Sequence, residues 1–242
     1  MNTSERLVNR SLKGITRLLC RVDDAELARV PQTGPLILVA NHINFIEIPL
    51  IYTHLRPRPV TGFAKAETWD NPLMSVLFNL WNAIPLRRGE ADMEAMHRAI
   101  RILRSGGILA VAPEGTRSGN GRLQRGYPGV VLLADLSEAP LLPIVYYGNE
   151  RLRENLKRFR RTDFHIAVGH PFRIKKSSEK RSRQERQLIT DEIMYQLAAL
   201  LPSSYRGYYG DLEAATENYL IFDPPGLSNA SADRSKGSEN HR

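Results

Sequence analysis

Short apolar runs bounded by glycine, proline or charge recur along the chain, with amphipathic stretches between them. Residues 36–40, 107–112 and 141–147 are apolar at nearly every position, the pattern of strands buried on both faces. Residues 60–64, 83–86 and 164–168 carry the same signature more weakly. Residues 47–55, 67–79, 92–104, 127–136 and 184–201 instead repeat their apolar positions at helical spacing. Strand alternating with helix in this way predicts an α/β fold, a single domain with a mostly parallel central sheet flanked by helices.

The N-terminal stretch has its own pattern. Arg6, Arg10, Lys13, Arg17 and Arg21 form one stripe on a helical wheel, opposite Val8, Leu12, Ile15, Leu18, Leu19 and Val22. That face arrangement suits a helix lying in a membrane interface, and equally an amphipathic helix docked on a core. The pattern divides the chain into an amphipathic N-terminal helix at 1–30, a main domain at 31–222 and a disordered tail at 223–242. The tail is rich in Pro, Gly, Ser and Asn and has almost nothing to bury.

Composition narrows the classes. The 242 residues are 42% hydrophobic and 25% charged, which is globular rather than disordered. Cys20 is the only cysteine, so a disulfide scaffold and a cysteine-based zinc site are both excluded. No apolar stretch approaches the roughly 18 residues of a spanning helix, and no secretory signal is visible. The net charge is +8, and residues 150–186, with thirteen Lys and Arg against five Asp and Glu, hold all of it. Charge alone would point to nucleic acid. Aromatic interleaving in that stretch is thin (Phe159, Phe164, Phe172), so nucleic acid is not expected as a partner.

Three spots carry candidate chemistry. Asn41-His42 follows a predicted buried strand, and in α/β sheets ligands bind at the carboxyl ends of strands. His42 there suits a general base. Glu47, five residues on, can orient it only if a turn separates His42 from the following helix. Residues 113–118, Pro-Glu-Gly-Thr-Arg-Ser, close another strand with loop amides, a hydroxyl and the planar fork of Arg117, a set suited to phosphate. Arg87-Arg88 at the end of 83–86 form a candidate anion site.

In this order the three spots resemble the lysophospholipid acyltransferase superfamily, whose best-known members are the 1-acyl-glycerol-3-phosphate acyltransferases. That family carries Asn-His with Asp after four residues, an apolar stretch ending in Arg, Pro-Glu-Gly-Thr-Arg-Ser, and a proline-containing strand. Asn41-His42, Arg88, residues 113–118 and the strand at 140–145 match these. The departure is Glu47, which stands where the family has Asp.

The resemblance implies a glycerolipid acyltransferase-like fold. It also implies acyl transfer from acyl-CoA or acyl-carrier protein to the free hydroxyl of 1-acyl-glycerol 3-phosphate, giving phosphatidic acid. His42 would take the hydroxyl proton and Glu47 would orient the imidazole. Arg117 and Arg88, with Arg87 beside them and Glu114, Gly115 and Thr116 shaping the loop, would hold the acceptor's phosphate. No metal and no cofactor are expected beyond the thioester co-substrate. The expected place is the cytoplasmic face of an anionic membrane, peripherally attached. Two alternatives stay open: another acceptor, such as glycerol 3-phosphate or a different lysolipid, and a catalytically weakened lipid-binding relic, motivated by Glu47.

Overall fold

A computed structural model describes residues 3–55, 58–87 and 92–230. The chain opens with α1 (Thr3–Leu19) and β1 (Cys20–Asp23), then runs β2 (Leu36–Ala40), α2 (Glu47–His54), β3 (Val60–Lys65), α3 (Pro72–Leu80) and β4 (Ile84–Leu86). It continues through α4 (Met93–Arg104), β5 (Ile108–Val111), α5 (Gly129–Ser137), β6 (Leu141–Tyr147), α6 (Leu152–Lys157) and β7 (Thr162–Val168). Last come β8 (Phe172–Ile174), α7 (Arg183–Leu200) and β9 (Leu220–Phe222). Each predicted buried run became a strand. The predicted helix at 67–79 is interrupted at Pro72, which opens α3 after a separate 3-10 turn. A proline is tolerated there because its missing N–H has no partner in a first turn.

The strands form one sheet in the order β1-β7-β6-β2-β5-β3-β4, with β8 attached to β6 and β9 to β8. β6, β2, β5, β3 and β4 are parallel, while β7 runs antiparallel to β6. Side chains alternate across the central strands. Ile37, Val39, Leu109, Leu141 and Val145 pack on one face against residues of α4, α5 and α7. Leu36, Leu38, Ile108, Leu142 and Ile144 pack on the other with residues of α2 and Trp81.

Direction decides what meets the site. The parallel strands end at one edge, and there the chain leaves β2 toward His42. Because β7 is antiparallel to β6, with His165 opposite Tyr147, it begins at that edge. β1 is parallel to β7, with Cys20 opposite Thr162, so the last turn of α1 also arrives there. Phe172, by contrast, pairs with Leu141, the first residue of β6, at the far edge. The basic segment 150–186, continuous in sequence, is therefore divided by β7 between the two ends of the sheet.

The N-terminal and C-terminal assignments need correction. The N-terminal helix stops at Leu19, and Cys20–Asp23 is an edge strand, with Arg21 paired to Asp163 at 3.0 Å. The wheel ran on because Arg21 and Val22 happen to continue its spacing. The segment predicted as disordered from 223 is ordered at least to 230, and Ser228, Asn229 and Ala230 are buried. The Asn229 carboxamide accepts from the His170 N–H at 2.9 Å and donates to Gln196 at 3.0 Å, so polar side chains do the docking. Residues 231–242 lie outside the described residues.

Candidate active site

The Asn41 side chain extends the β2–β6 ladder beyond its last backbone pair. Its amide donates to the Tyr146 carbonyl and its oxygen accepts from the Tyr146 N–H, both at 2.8 Å. The chain is thereby held on the sheet up to His42 and then released into a turn. The turn is closed by Asn44, whose side-chain oxygen accepts from the Ile46 N–H at 3.0 Å just before α2 begins. It lets a carboxylate in the first helical turn fold back on the histidine.

Glu47 meets His42 across that turn. Its Oε2 lies 2.6 Å from His42 Nδ1. The carboxylate is also bonded by the Ile43 N–H (3.0 Å), the Asn44 N–H (2.8 Å) and the Asn149 side-chain amide (2.7 Å). Those donors hold it as an acceptor, so Nδ1 carries the proton and Nε2 is the nitrogen left for a substrate. The His42 side chain is 22% exposed and Glu47 4%. Asn149 follows β6, is fully buried, and receives the Asn44 amide on its own carbonyl at 2.8 Å. Sequence reasoning missed it. It stands 102 residues from Glu47, and only the β2–β6 pairing brings the two together.

The 113–118 loop is zipped to the same turn. Ser118 and Gly119 N–H groups donate to the carbonyls of His42 and Ile43 at 2.8 and 3.0 Å. Gly115 has φ +67°, a left-handed conformation that a glycine adopts freely. Gly115, Thr116 and Arg117 are exposed on this loop, just before the Ser118 bond to His42, and Arg117 makes no ion pair among the described residues. Glu114, expected to shape the loop, does so from the inside. It is 1% exposed and faces inward, accepting from the backbone N–H groups of His42 (2.9 Å) and Gln124 (2.9 Å). Burial pushes its carboxyl up to about 7 against those hydrogen bonds. Glu114 ties the loop to the His42 turn and is closed off from solvent.

Arg87 is exposed at the end of β4, three strand spacings from β2, about 14 Å at the usual interstrand distance. Its backbone N–H donates to Asp92 at 3.1 Å, and no contact brings it to His42. Arg88 lies outside the described residues.

His42 and Glu47 also line a cavity of about 110 Å³ that is otherwise largely apolar. Ile48, Ile51 and Tyr52 of α2 form one wall, with Phe63, Phe78, Val111 and Tyr146 around it. Tyr52 stacks on Trp81, with centroids 4.6 Å apart. Gly62 matters here, because a Cβ would come within 3.2 Å of the Tyr52 hydroxyl. Histidine, oriented carboxylate and apolar cavity together suit proton removal from a hydroxyl beside a hydrocarbon chain.

A family profile described as acyltransferase matches residues 21–147, about half of the chain. A 1-acyl-sn-glycerol-3-phosphate acyltransferase from Bacillus subtilis is 22% identical over 191 residues, 78% of this chain and 93% of its own length. One from Limnanthes alba is 34% identical over 115 residues, 46% of this chain and 41% of its own length. Among solved structures, the 1-acyl-sn-glycerophosphate acyltransferase PlsC from Thermotoga maritima superposes with a TM-score of 0.58. It is 22% identical, and the match covers 78% of this chain and 77% of that one, a likeness of fold.

Proposed function

Because this chain belongs to the acyltransferase family and is an O-acyltransferase, we propose that it acylates 1-acyl-glycerol 3-phosphate from a thioester donor, making phosphatidic acid. The observation that carries the reading is the His42–Glu47 contact of 2.6 Å at the mouth of an apolar cavity, with the Arg117 loop hydrogen-bonded to the same turn. His42 Nε2 takes the proton of the acceptor hydroxyl as its oxygen attacks the thioester carbonyl. Glu47 holds the ring and balances the imidazolium that forms. The C–S bond breaks, the ester bond forms, and the proton passes to the departing thiolate. Arg117 binds the acceptor's phosphate, and the cavity takes the part of a hydrocarbon chain nearest the reacting carbonyl. Holding both reactants in one geometry supplies several kcal/mol of the barrier.

A lipid acceptor requires a lipid surface. Among the described residues no helix is long and apolar enough to cross a membrane. α1 docks on the domain through a mixed face, with the Trp81 indole donating to Asn9 at 3.0 Å, Thr16 buried and Leu12 half-buried. Leu7 (67%), Ile15 (50%) and Leu18 (72%) are left in water. We place that face on an anionic membrane, at its cytoplasmic side. The close His42–Glu47 contact favours an active enzyme over a relic.

The test is to give the purified protein 1-acyl-glycerol 3-phosphate, glycerol 3-phosphate and other lysolipids, each with acyl-CoA and with acyl-carrier protein, and identify products by mass. Phosphatidic acid as the main product is expected. Turnover confined to glycerol 3-phosphate or to another headgroup would replace the acceptor, and no turnover with any pair would leave the relic.

A further inference from the structure

Phe159 is 99% exposed at the tip between α6 and β7. A large apolar ring fully in water needs a reason, and here the backbone presents it deliberately. Phe159 has φ +53°, a left-handed conformation unfavourable for a bulky residue. The turn is nonetheless braced: the Arg160 N–H donates to the Asn155 carbonyl at 2.8 Å, and Asn155 donates to Thr162 at 3.0 Å. The Arg161 guanidinium reaches the carbonyls of Arg17 and Cys20 at 2.6 and 2.8 Å, which fixes the tip to the end of α1.

Position and charge supply the partner. β7 begins at the sheet edge that carries His42, so the tip and the last turn of α1, with exposed Leu18, share the catalytic end of the molecule. Residues 151–161 hold six Lys and Arg against one acidic residue. An apolar apex within a cationic collar matches an anionic bilayer, whose headgroups meet the cations while the ring enters the acyl boundary. The rest of the basic segment begins at the opposite edge, where Arg181 is buried on Asp135 and Glu185, and Lys176 pairs with Glu138.

We propose that the α6–β7 tip, with Phe159 at its apex, is a second membrane-inserting element that acts with α1 to seat the catalytic edge on an anionic bilayer. The proposal rests on the reading that the acceptor is a lipid, but its test does not depend on turnover. The full-length protein is sedimented with vesicles of equimolar phosphatidylglycerol and phosphatidylcholine, both as the parent chain and with His42→Ala, which removes activity from the measurement. Phe159→Ala is expected to weaken vesicle binding roughly tenfold, and Phe159→Leu to restore most of it. Phe159→Trp is expected to shift its emission to the blue and be quenched by brominated lipid, above the background of Trp69 and Trp81 in the parent. Turnover of a short-chain acceptor dissolved below its aggregation concentration should stay unchanged in Phe159→Ala. Equal sedimentation of Phe159→Ala and parent, or an unquenched Phe159→Trp, overturns the proposal. So does a loss confined to carrier-protein-dependent turnover with vesicle binding intact, which would make the tip a protein-docking site. Vesicle binding that depends on Phe159 in a protein that transfers no acyl group would keep the anchor and reject the enzymatic reading alone.

Discussion

Helix α2 carries a histidine–carboxylate pair at each end, and the two pairs have opposite characters. At its start, Glu47 lies 2.6 Å from His42, and three further donors hold the carboxylate. At its end, His54 Nε2 lies 3.8 Å from Asp24, whose carboxylate also receives Arg17 at 3.2 Å. The His54 side chain is sealed from solvent, its Nδ1 faces the Leu50 carbonyl at 3.1 Å, and Nε2 has no hydrogen-bond partner among the described residues. Proximity of the two residue types is thus not what makes a catalytic pair. A carboxylate in direct contact with a ring that is open to solvent suits a general base, and only the first pair has both, although the second also borders a cavity of about 310 Å³.

The sharpest break of this comparison is removal of each histidine. His42→Ala is expected to lower kcat by about 10²–10⁴-fold with an unchanged melting temperature. His54→Ala should leave kcat within a few-fold and cost about 1–3 kcal/mol of stability, from a cavity and lost packing. Activity assays and urea unfolding on the two variants decide it, and near-normal turnover of His42→Ala would end the mechanism.

Next in size is the anchor. Asn149→Ala removes one donor from Glu47 and is expected to lower kcat about 10–100-fold with little change in KM, as for other groups that orient a catalytic side chain. An equal rise in KM would make Asn149 part of the acceptor site instead. Glu47 itself gives a reversal. Charge considered alone predicts that Glu47→Asp is tolerated. The carboxylate sits among donors from Ile43, Asn44 and Asn149, placed for the longer side chain. An Asp would be one methylene short, and catalytic geometry tolerates only about 0.5 Å of looseness. Glu47→Asp is therefore expected to lose about tenfold in kcat and Glu47→Gln more. Parent-like rates for Glu47→Gln would show the charge to be dispensable.

These residues also mark how much the sequence could tell. His42, Glu47 and residues 113–118 were readable because each lies in a short local pattern, a strand followed by a turn with chemically distinctive side chains. Asn149 was not, since no local pattern announces a lone Asn after a strand as a partner of Glu47. Glu114 was read by its loop neighbours, yet its burial depends on the His42 turn folding over it. The buried strands were legible as apolar runs. β1 was not, because four residues at a helix end carry too little alternation to break a 3.6-residue wheel. The ordering of residues 223–230 depends on polar contacts with α7, which composition does not reveal.

Arg117 tests the open side of the first pair. It is exposed on the loop that binds the His42 turn, and losing a charge-assisted contact to phosphate costs about 1.5–3 kcal/mol. Arg117→Ala is expected to raise the acceptor's KM roughly 10–100-fold while the donor's KM moves little. A shift confined to the donor would put the thioester's carrier, rather than the acceptor, on this loop.

The smallest effect comes from the second pair and is read in stability rather than rate. Burial, followed by the charge of Lys13, lowers His54 from 6.5 to about 4, while Asp24 and the Leu50 carbonyl only partly oppose this. Between those values the unfolded chain binds a proton that the native protein does not. Stability from this group is therefore complete above about pH 6.5, falls as the pH drops toward 4, and changes no further below. Glu114 acts in the opposite sense, since its raised carboxyl makes the native state the better proton binder between 4.5 and about 7. The parent's net slope mixes the two and cannot isolate either. His54→Gln removes one of them. Urea midpoints at pH 5 and pH 7 should differ less in this variant than in the parent in the sense of acid destabilisation, by on the order of 1–2 kcal/mol. Identical pH responses in the two proteins would mean that His54 takes up its proton in the folded chain, making the second pair an ion pair and erasing its contrast with the first.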